Sequence, residues 1–432
     1  MTRYDAIVIG GGHNGLVHAA YLAKAGKKVL VLERRHVVGG ATVTEEIHPG
    51  FKFLTGSYLI SLLRPEVIRE LELPRHGLEI MPLESTVVPM LDGNYLADWP
   101  DHDLTREEIA RHSVKDADAY GEYAATMRRL ALWVKPLLDI VPPNPASKDP
   151  RDVRAMAMIG ERLRQIPKAD FDLLARLMTM SAGDFLDEWF EGEALKGTKC
   201  TSGIIGTFLG PRSPGTGYVL LHHYVGEIDG VYRSWGFALE GRDGRAQPGA
   251  PIASAARANG AEIRVNAEVA KVLVRNGEAV GVVLANGDEL FADRIVSNAD
   301  AKVTYLKLVD EKELPGELVS DIRRYRIASP ACKVNLALDG LPTFRAIPKG
   351  KEALLRGSIE IAPSIDYVEQ AYDDAKYGGW ARRPFMDALI PPLLDRDGAA
   401  RETRDVAVRG VRLAWSSRAA GPAEKKAQFL QW

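Results

Sequence analysis

At 432 residues the chain is longer than one ordinary hydrophobic core supports, which predicts two domains. Its 46% hydrophobic and 26% charged residues are the proportions of a globular protein in water, and no run approaches the ~18 apolar residues of a membrane-spanning helix. A net charge of −2 and a pI near 6.5 leave no electrostatic case for a nucleic-acid partner.

The first predicted element is Asp5-Ala6-Ile7-Val8-Ile9, a β-branched run that reads as a buried parallel strand. Its place at the head of the chain leaves no room for a cleaved leader, so a cytoplasmic protein is expected. Gly10, Gly12 and Gly15 follow on the G-x-G-x-x-G spacing. Leu16, Ala19, Ala20, Leu22 and Ala23 then mark a helix closed by Gly26. Val29-Leu30-Val31-Leu32 is a second strand, with Glu33 at its end. Gly10 permits the tight turn, Gly12 a close approach to a pyrophosphate, and Gly15 close helix–strand packing. The free N–H groups at the helix start favour an anion. Glu33 lies 33 − 15 = 18 residues past the last glycine, where an acid accepts ribose hydroxyls and repels a 2′-phosphate, so NADP is disfavoured. A lone glycine fingerprint is weak; here strand, helix, second strand and acid surround it. A further pair, Gly39-Gly40, is not needed by NAD dehydrogenases, whereas in flavoproteins such a pair brings backbone to the diphosphate and flavin. FAD is therefore favoured over NAD.

Residues 65–75 predict a short helix between Pro65 and Pro74, and residues 79–98 three short strands with an Asp92-Gly93 turn. From Thr105 to about Trp189 the pattern is helical, opened by a predicted capping box, Thr105-x-x-Glu108. Apolar stripes follow at Leu130, Leu132, Trp133, Leu137, Leu138 and Ile140, at Met156, Met158, Ile159 and Leu163, and at Phe171, Leu174, Leu177, Met178 and Met180. They are expected to be core; the sharper alternative is a cap over an apolar tunnel in peripheral contact with a membrane surface. His222-His223 invites a metal or acid–base reading, but on a strand the two would point opposite ways, one packed and one hydrogen-bonded. A helix over residues 253–259 and a strand at Glu262–Val265 come next. Two hairpins turn at Asn276-Gly277 and Asn286-Gly287, before a strand ending at Ser297-Asn298-Ala299. Residues 303–330 read as helical, and 333–339 as a strand followed by Ile359-Glu360-Ile361 and a helix through Tyr372. Cys200 and Cys332 are 332 − 200 = 132 residues apart and read as buried thiols; no Cys/His spacing suits a metal.

These stretches resemble the phytoene desaturase-like FAD-dependent oxidoreductases, and within them a branch named for a pyridine nucleotide-disulfide oxidoreductase domain. The N-terminal fingerprint carries the resemblance, with Pro214-Gly215-Thr216-Gly217-Tyr218-Val219-Leu220-Leu221-His222-His223, Val296-Ser297-Asn298-Ala299-Asp300 and residues 366–378; it spans most of residues 4–395. It implies an α/β fold, a Rossmann-type FAD-binding domain with a discontinuous α+β substrate domain, as in amine oxidases and phytoene desaturases. The FAD domain would hold residues 1–75 and 225–305, and the substrate and helical-cap domain residues 76–224 and 306–395. The resemblance implies FAD bound by Gly10, Gly12, Gly15, Glu33, Arg34, Gly39, Gly40 and Ala41, with the backbone of Val269 on the adenine. It implies hydride transfer from a small, apolar or polyene-like substrate, and a mitochondrial-matrix location for eukaryotic relatives. No residue stands out as a general base, and two distant cysteines support no disulfide reduction.

Two stretches depart from the family pattern. Residues 240–251 are polar, with Pro248 inside a predicted helix, where the family has a glycine turn. From about residue 396 apolar periodicity is absent, and the strand, glycine turn and helix that close the family's FAD site are not recognisable. Codons can be chosen at both places that, read one base later, give family-like residues, so a local frameshift, compensated at the first place and not at the second, is the expectation, with residues 396–432 an atypical tail. The rival readings are a weakly flavin-binding scaffold acting through partners, which the tail favours, and an NAD-dependent dehydrogenase, which Gly39-Gly40 opposes.

Overall fold

The computed structural model describes residues 3–49, 51–228, 230–232, 235–238, 248–327, 331–338, 340–379, 381–394 and 405–412. It divides into two compact units, one of Met1–Pro82, Gly236–Ile327 and Asp395–Asp405, the other of Leu83–Trp235, Ala328–Leu394 and Val406–Trp432.

In the first unit, strand β1 (Arg3–Ile9) leads into helix α1 (His13–Lys24) and strand β2 (Val29–Leu32). The chain returns much later with helix α2 (Gly249–Ala258) and strands β3 (Glu262–Arg264), β4 (Val269–Arg275), β5 (Glu278–Leu284) and β6 (Glu289–Ser297). Among the described residues these strands form one sheet in the order β3-β2-β1-β6-β5-β4. The first four are parallel, and β5 and β4 close the sheet as antiparallel strands. From Ala6 to Ile9 β1 is apolar and buried because both its faces are covered. Val8 packs with Leu16, Ala19, Ala20, Ile252 and Ala256 of the two helices, while Ile7 and Ile9 pack with Leu30, Leu32, Val272 and Val282 on the other side. Burying each large aliphatic side chain contributes about 1.5–3 kcal/mol. Asn276 and Gly277 both take positive φ, 52° and 78°, which is the mirror-image turn that matches strand twist. Pro248 is not inside a helix; α2 begins after it, and at the N-cap a missing N–H costs nothing. Residues 239–247, most of the polar stretch that departs from the family pattern, lie outside the described residues.

At the edge of this sheet Tyr4 Oη donates to Glu262 Oε2 at 2.7 Å, and Arg264 Nε donates to Glu262 Oε1 at 2.7 Å. The Tyr4 hydroxyl first, then Arg264, hold the Glu262 carboxyl below its ordinary 4.5, although partial burial works against them. A carboxyl depressed on folding adds stability above its unfolded value and loses it as the pH falls through the folded one. Glu262→Gln is therefore expected to lower the thermal midpoint at pH 7 and to flatten its decline below about pH 4.5; an unchanged acid limb in melts across that range would refute the assignment.

The second unit has a sheet whose order is Ala331–Ala337, Asp405–Arg412, Met386–Leu389, Ser358–Ile361, Thr86–Pro89 and Tyr95–Asp98. Its helical layer is centred on Val114–Val134, where Tyr123, Met127, Leu130 and Ala131 pack against Phe185, Leu221, Ile365 and Val368. Tyr224 Oη donates to Tyr123 Oη at 3.0 Å, which satisfies the buried phenol.

Several expectations change here. The helix His102–Ala110 is capped by Asp101, whose carboxylate accepts from the Asp103 and Leu104 N–H groups; Thr105 lies inside it and accepts from the Trp99 N–H at 2.8 Å. His222-His223 ends a helix, Thr216–His223, so the strand argument fails: the side chains sit about 100° apart, not opposed. None of the sixteen residues of Pro150–Gln165 is buried, so its Met and Leu stripe is not core. Residues 303–330 do not make one helix; Pro315 caps Gly316–Arg324, after a π turn at Thr304–Leu308. Cys332 is only half-buried, whereas Cys200 is fully so. The tail contains a strand, Asp405–Arg412, paired antiparallel with Met386–Leu389. Its valines at 406, 408 and 411 carry the strand preference that a search for helical periodicity passes over.

Candidate functional site

The turn from β1 into α1 is where the sequence pointed. Gly10 takes φ +94°, a conformation that L side chains rarely adopt, and its N–H donates to Leu32 O at 2.8 Å. Gly12 caps α1 without a side chain, so the amides of the first helical turn are left for a ligand. A Cβ on Gly15 would lie 2.4 Å from Gly10 O, so only glycine lets the helix sit this close to the strand end. Burial holds the His13 imidazole below its usual value, hence neutral at pH 7. An anion here meets backbone N–H groups and the helix dipole, with no cationic histidine to assist.

The second glycine pair lies on this loop. Gly39 N–H donates to Gly11 O at 2.7 Å, Gly39 bridges Gly12 in parallel register, and a Cβ on Gly40 would lie 2.9 Å from Gly12 Cα. A third partner is not evident from sequence spacing. A Cβ on Gly249, at the start of α2, would lie 2.4 Å from Gly39 Cα. Its one signal is a glycine directly after Pro248 at a helix head, a choice costly unless space demands it. Residues 10–15, 39–40 and 249 are thus stacked backbone on backbone.

Glu33 is 7% exposed and held from every side. Its Oε2 accepts from the Gly11 N–H at 2.7 Å and its Oε1 from the Arg35 N–H at 2.9 Å. Its own N–H donates to Arg264 O, and its carbonyl accepts from the Ala267 N–H, both at 2.9 Å. A carboxylate offers about four acceptor positions, and two are used, so two remain for a ribose diol. The Ala267 contact brings the start of β4 beside Glu33, with Val269 two residues on, buried, at a register irregularity between Val269 and Lys271. Arg34 is exposed; its neighbour Arg35 makes the ion pair with Glu45, at 2.5 Å. Ala41 is exposed, and its carbonyl already accepts from the Ser57 N–H at 2.6 Å. The structure thus gathers Gly10, Gly12, Gly15, Glu33, Gly39 and Gly40 around one loop, places Val269 nearby, and leaves Arg34 and Ala41 on its flanks.

The histidine pair forms no shared centre. His223 is buried, its Nδ1 2.9 Å from Val219 O and its ring stacked on Trp235 at 5.9 Å. His222 is half-buried, and burial lowers its pKa. Among the described residues no His, Cys, Asp and Glu group could hold a metal ion, and no helix is long and apolar enough to cross a membrane.

A loop stripped of Cβ atoms before a capless helix, with a fixed acid at the next strand end, fits the adenosine-diphosphate half of FAD. Comparisons with known proteins agree. The model of the family "flavin containing amine oxidoreductase" matches residues 15–376. The pyridine nucleotide-disulfide oxidoreductase domain-containing protein 2 of Rattus norvegicus is 40% identical over 413 residues, covering 91% of this chain and 71% of that protein. A limonene dehydrogenase of Castellaniella defragrans is 28% identical, in one of its polypeptides, over 329 residues, 73% of this chain and 55% of that one. The prolycopene isomerase of Daucus carota is 29% identical, over 73% of this chain and 49% of that one. Among solved structures, an oxidoreductase from Methanosarcina mazei has a TM-score of 0.55 at 16% identity, covering 99% and 81% of the two chains. Putrescine oxidase bound to putrescine has a TM-score of 0.55 at 16% identity, covering 100% and 80%. These structures share the α/β fold expected from the sequence. The protein belongs to the flavin containing amine oxidoreductase family and is an FAD-dependent oxidoreductase.

Proposed function

We propose that this chain removes a hydride from a small apolar organic molecule, holding FAD in its first unit through Gly10, Gly12, Gly15, Glu33, Gly39, Gly40 and the Val269 backbone. The observation that carries this is Glu33, buried and locked by two backbone N–H groups yet with acceptor positions to spare beside a glycine-lined turn. The first unit contains each residue assigned to the cofactor, which supports reading it as the FAD-binding domain and the second unit as the substrate domain. When bound, the flavin supplies the two-electron acceptor; the protein's part is to orient, to exclude water and to fix charge. Limonene dehydrogenase and prolycopene isomerase are named for hydrocarbons, which supports an apolar substrate over an amine.

The test is a visible absorbance spectrum of the purified chain before and after addition of FAD. Flavin bands that survive desalting are expected; their absence after reconstitution would overturn the cofactor assignment for this chain and favour the scaffold reading. Anaerobic mixing with limonene or a related terpenoid should then bleach the bound flavin, and bleaching by putrescine alone would overturn the substrate class.

A further inference from the structure

We propose that the side-chain amide of Asn298 is a donor to the diphosphate of the bound cofactor, an inference that rests on the FAD reading of the Gly10–Gly15 turn. The motif Val296-Ser297-Asn298-Ala299-Asp300 leaves β6 in a turn fixed at three points. Asn298 N–H donates to Ile9 O at 2.8 Å, and Ala299 N–H donates to Ser297 Oγ at 3.3 Å. The Asp300 carboxylate accepts from the Lys302 and Val303 N–H groups at 2.9 and 3.1 Å. Pinned in this way, the half-buried Asn298 side chain lies against the glycine turn. A Cβ on Gly12 would be 2.8 Å from Asn298 Nδ2, and one on Gly15 3.1 Å from both its Cβ and its Nδ2. A Cβ on Gly10 would be 3.6 Å from Asn298 Cβ. All three fingerprint glycines therefore border this one side chain.

An amide carries two N–H donors, and among the described residues the Asn298 side chain has no hydrogen-bond partner. A filler would need no donor, since an apolar side chain of similar volume would pack against glycine Cα atoms equally well. A donor beside the uncapped start of α1 suits a ligand rich in anionic oxygens, to which hydrogen bonds are about twice as strong as between neutral groups. The neighbouring backbone amides already point the same way. Asn298 thus extends the anion cradle from a part of the chain that sequence spacing does not connect to it.

FAD and ADP affinities of the full chain, measured by fluorescence titration and calorimetry, test this. Asn298→Ala is expected to weaken both by the same factor, about tenfold, and to leave adenosine binding and the apo-protein melting midpoint as they are. Asn298→Ser keeps a donor and should recover part of the loss. Asn298→Asp sets a carboxylate against the phosphates and should lose more, about a hundredfold. FAD and ADP constants within twofold of wild type in Asn298→Ala would overturn the proposal. So would a loss that serine does not relieve and that the apo melting midpoint follows. A wild-type chain that binds neither nucleotide would instead overturn the FAD reading on which it rests.

Discussion

Gly15→Ala is expected to give a folded protein that purifies without flavin. The added methyl meets Gly10 O at 2.4 Å, and that carbonyl is backbone at a strand end, so α1 must move as a whole. Overpacking of this kind costs about 1–3 kcal/mol, a fraction of the 5–15 kcal/mol that holds an ordinary domain together. The melting midpoint should drop by a few degrees while the anion-binding amides leave their positions. Gly12→Ala is the comparison: its methyl meets Asn298 Nδ2, so it displaces one side-chain donor while α1 and its amides stay in place. It should therefore keep more flavin than Gly15→Ala, and the reverse order, read from the ratio of flavin to protein absorbance, would mean that the turn is not braced as described.

Glu33→Ala should have a larger effect on affinity than on folding. It removes the acceptor for two ribose hydroxyls, and hydrogen bonds to a charged group contribute about 1.5–3 kcal/mol each. The sum, about 3–6 kcal/mol, corresponds to two orders of magnitude or more in the FAD dissociation constant. The same change orphans the Gly11 and Arg35 N–H groups, so some stability is lost as well. Glu33→Gln keeps one acceptor oxygen but turns an NH2 group toward the N–H of Gly11 or Arg35, so its loss of affinity should lie between none and that of Glu33→Ala, about tenfold. Titration of the three proteins with FAD would settle the matter, and equal constants for the wild type and the Glu33→Ala variant would show that the ribose is held elsewhere.

Much of this site was legible because its chemistry is local. Gly10, Gly12, Gly15 and Glu33 lie within one strand–helix–strand unit, where spacing and direction are set by helix and strand geometry alone. What sequence spacing could not supply was long-range: Gly249 and Asn298 reach the turn through α2 and β6, and nothing near them in sequence points to residue 12. The helix Thr216–His223 is illegible in the sequence because its eight residues span little more than two turns, too few for its apolar positions to separate period 3.6 from period 2. For Pro150–Gln165 the periodicity is legible and the burial is not. An amphipathic stripe specifies a helix, while burial depends on whether another element lies across it.

The pairing of β1 with β6 also sets a timetable. Arg3 faces Phe291 and Ile9 faces Ser297, so β1 waits for the last strand of its sheet. On a ribosome adding about 5–20 residues per second, that interval is roughly 15–60 s. Throughout it, β1 carries an open edge of unpaired N–H and C=O groups, the kind of edge other chains can add to. The nascent protein cannot offer its nucleotide a finished cradle until β6 has emerged. Chaperone protection of this segment during synthesis should therefore matter more for this protein than for one whose central strand finds both its neighbours early, and yield at high expression rates should respond to it.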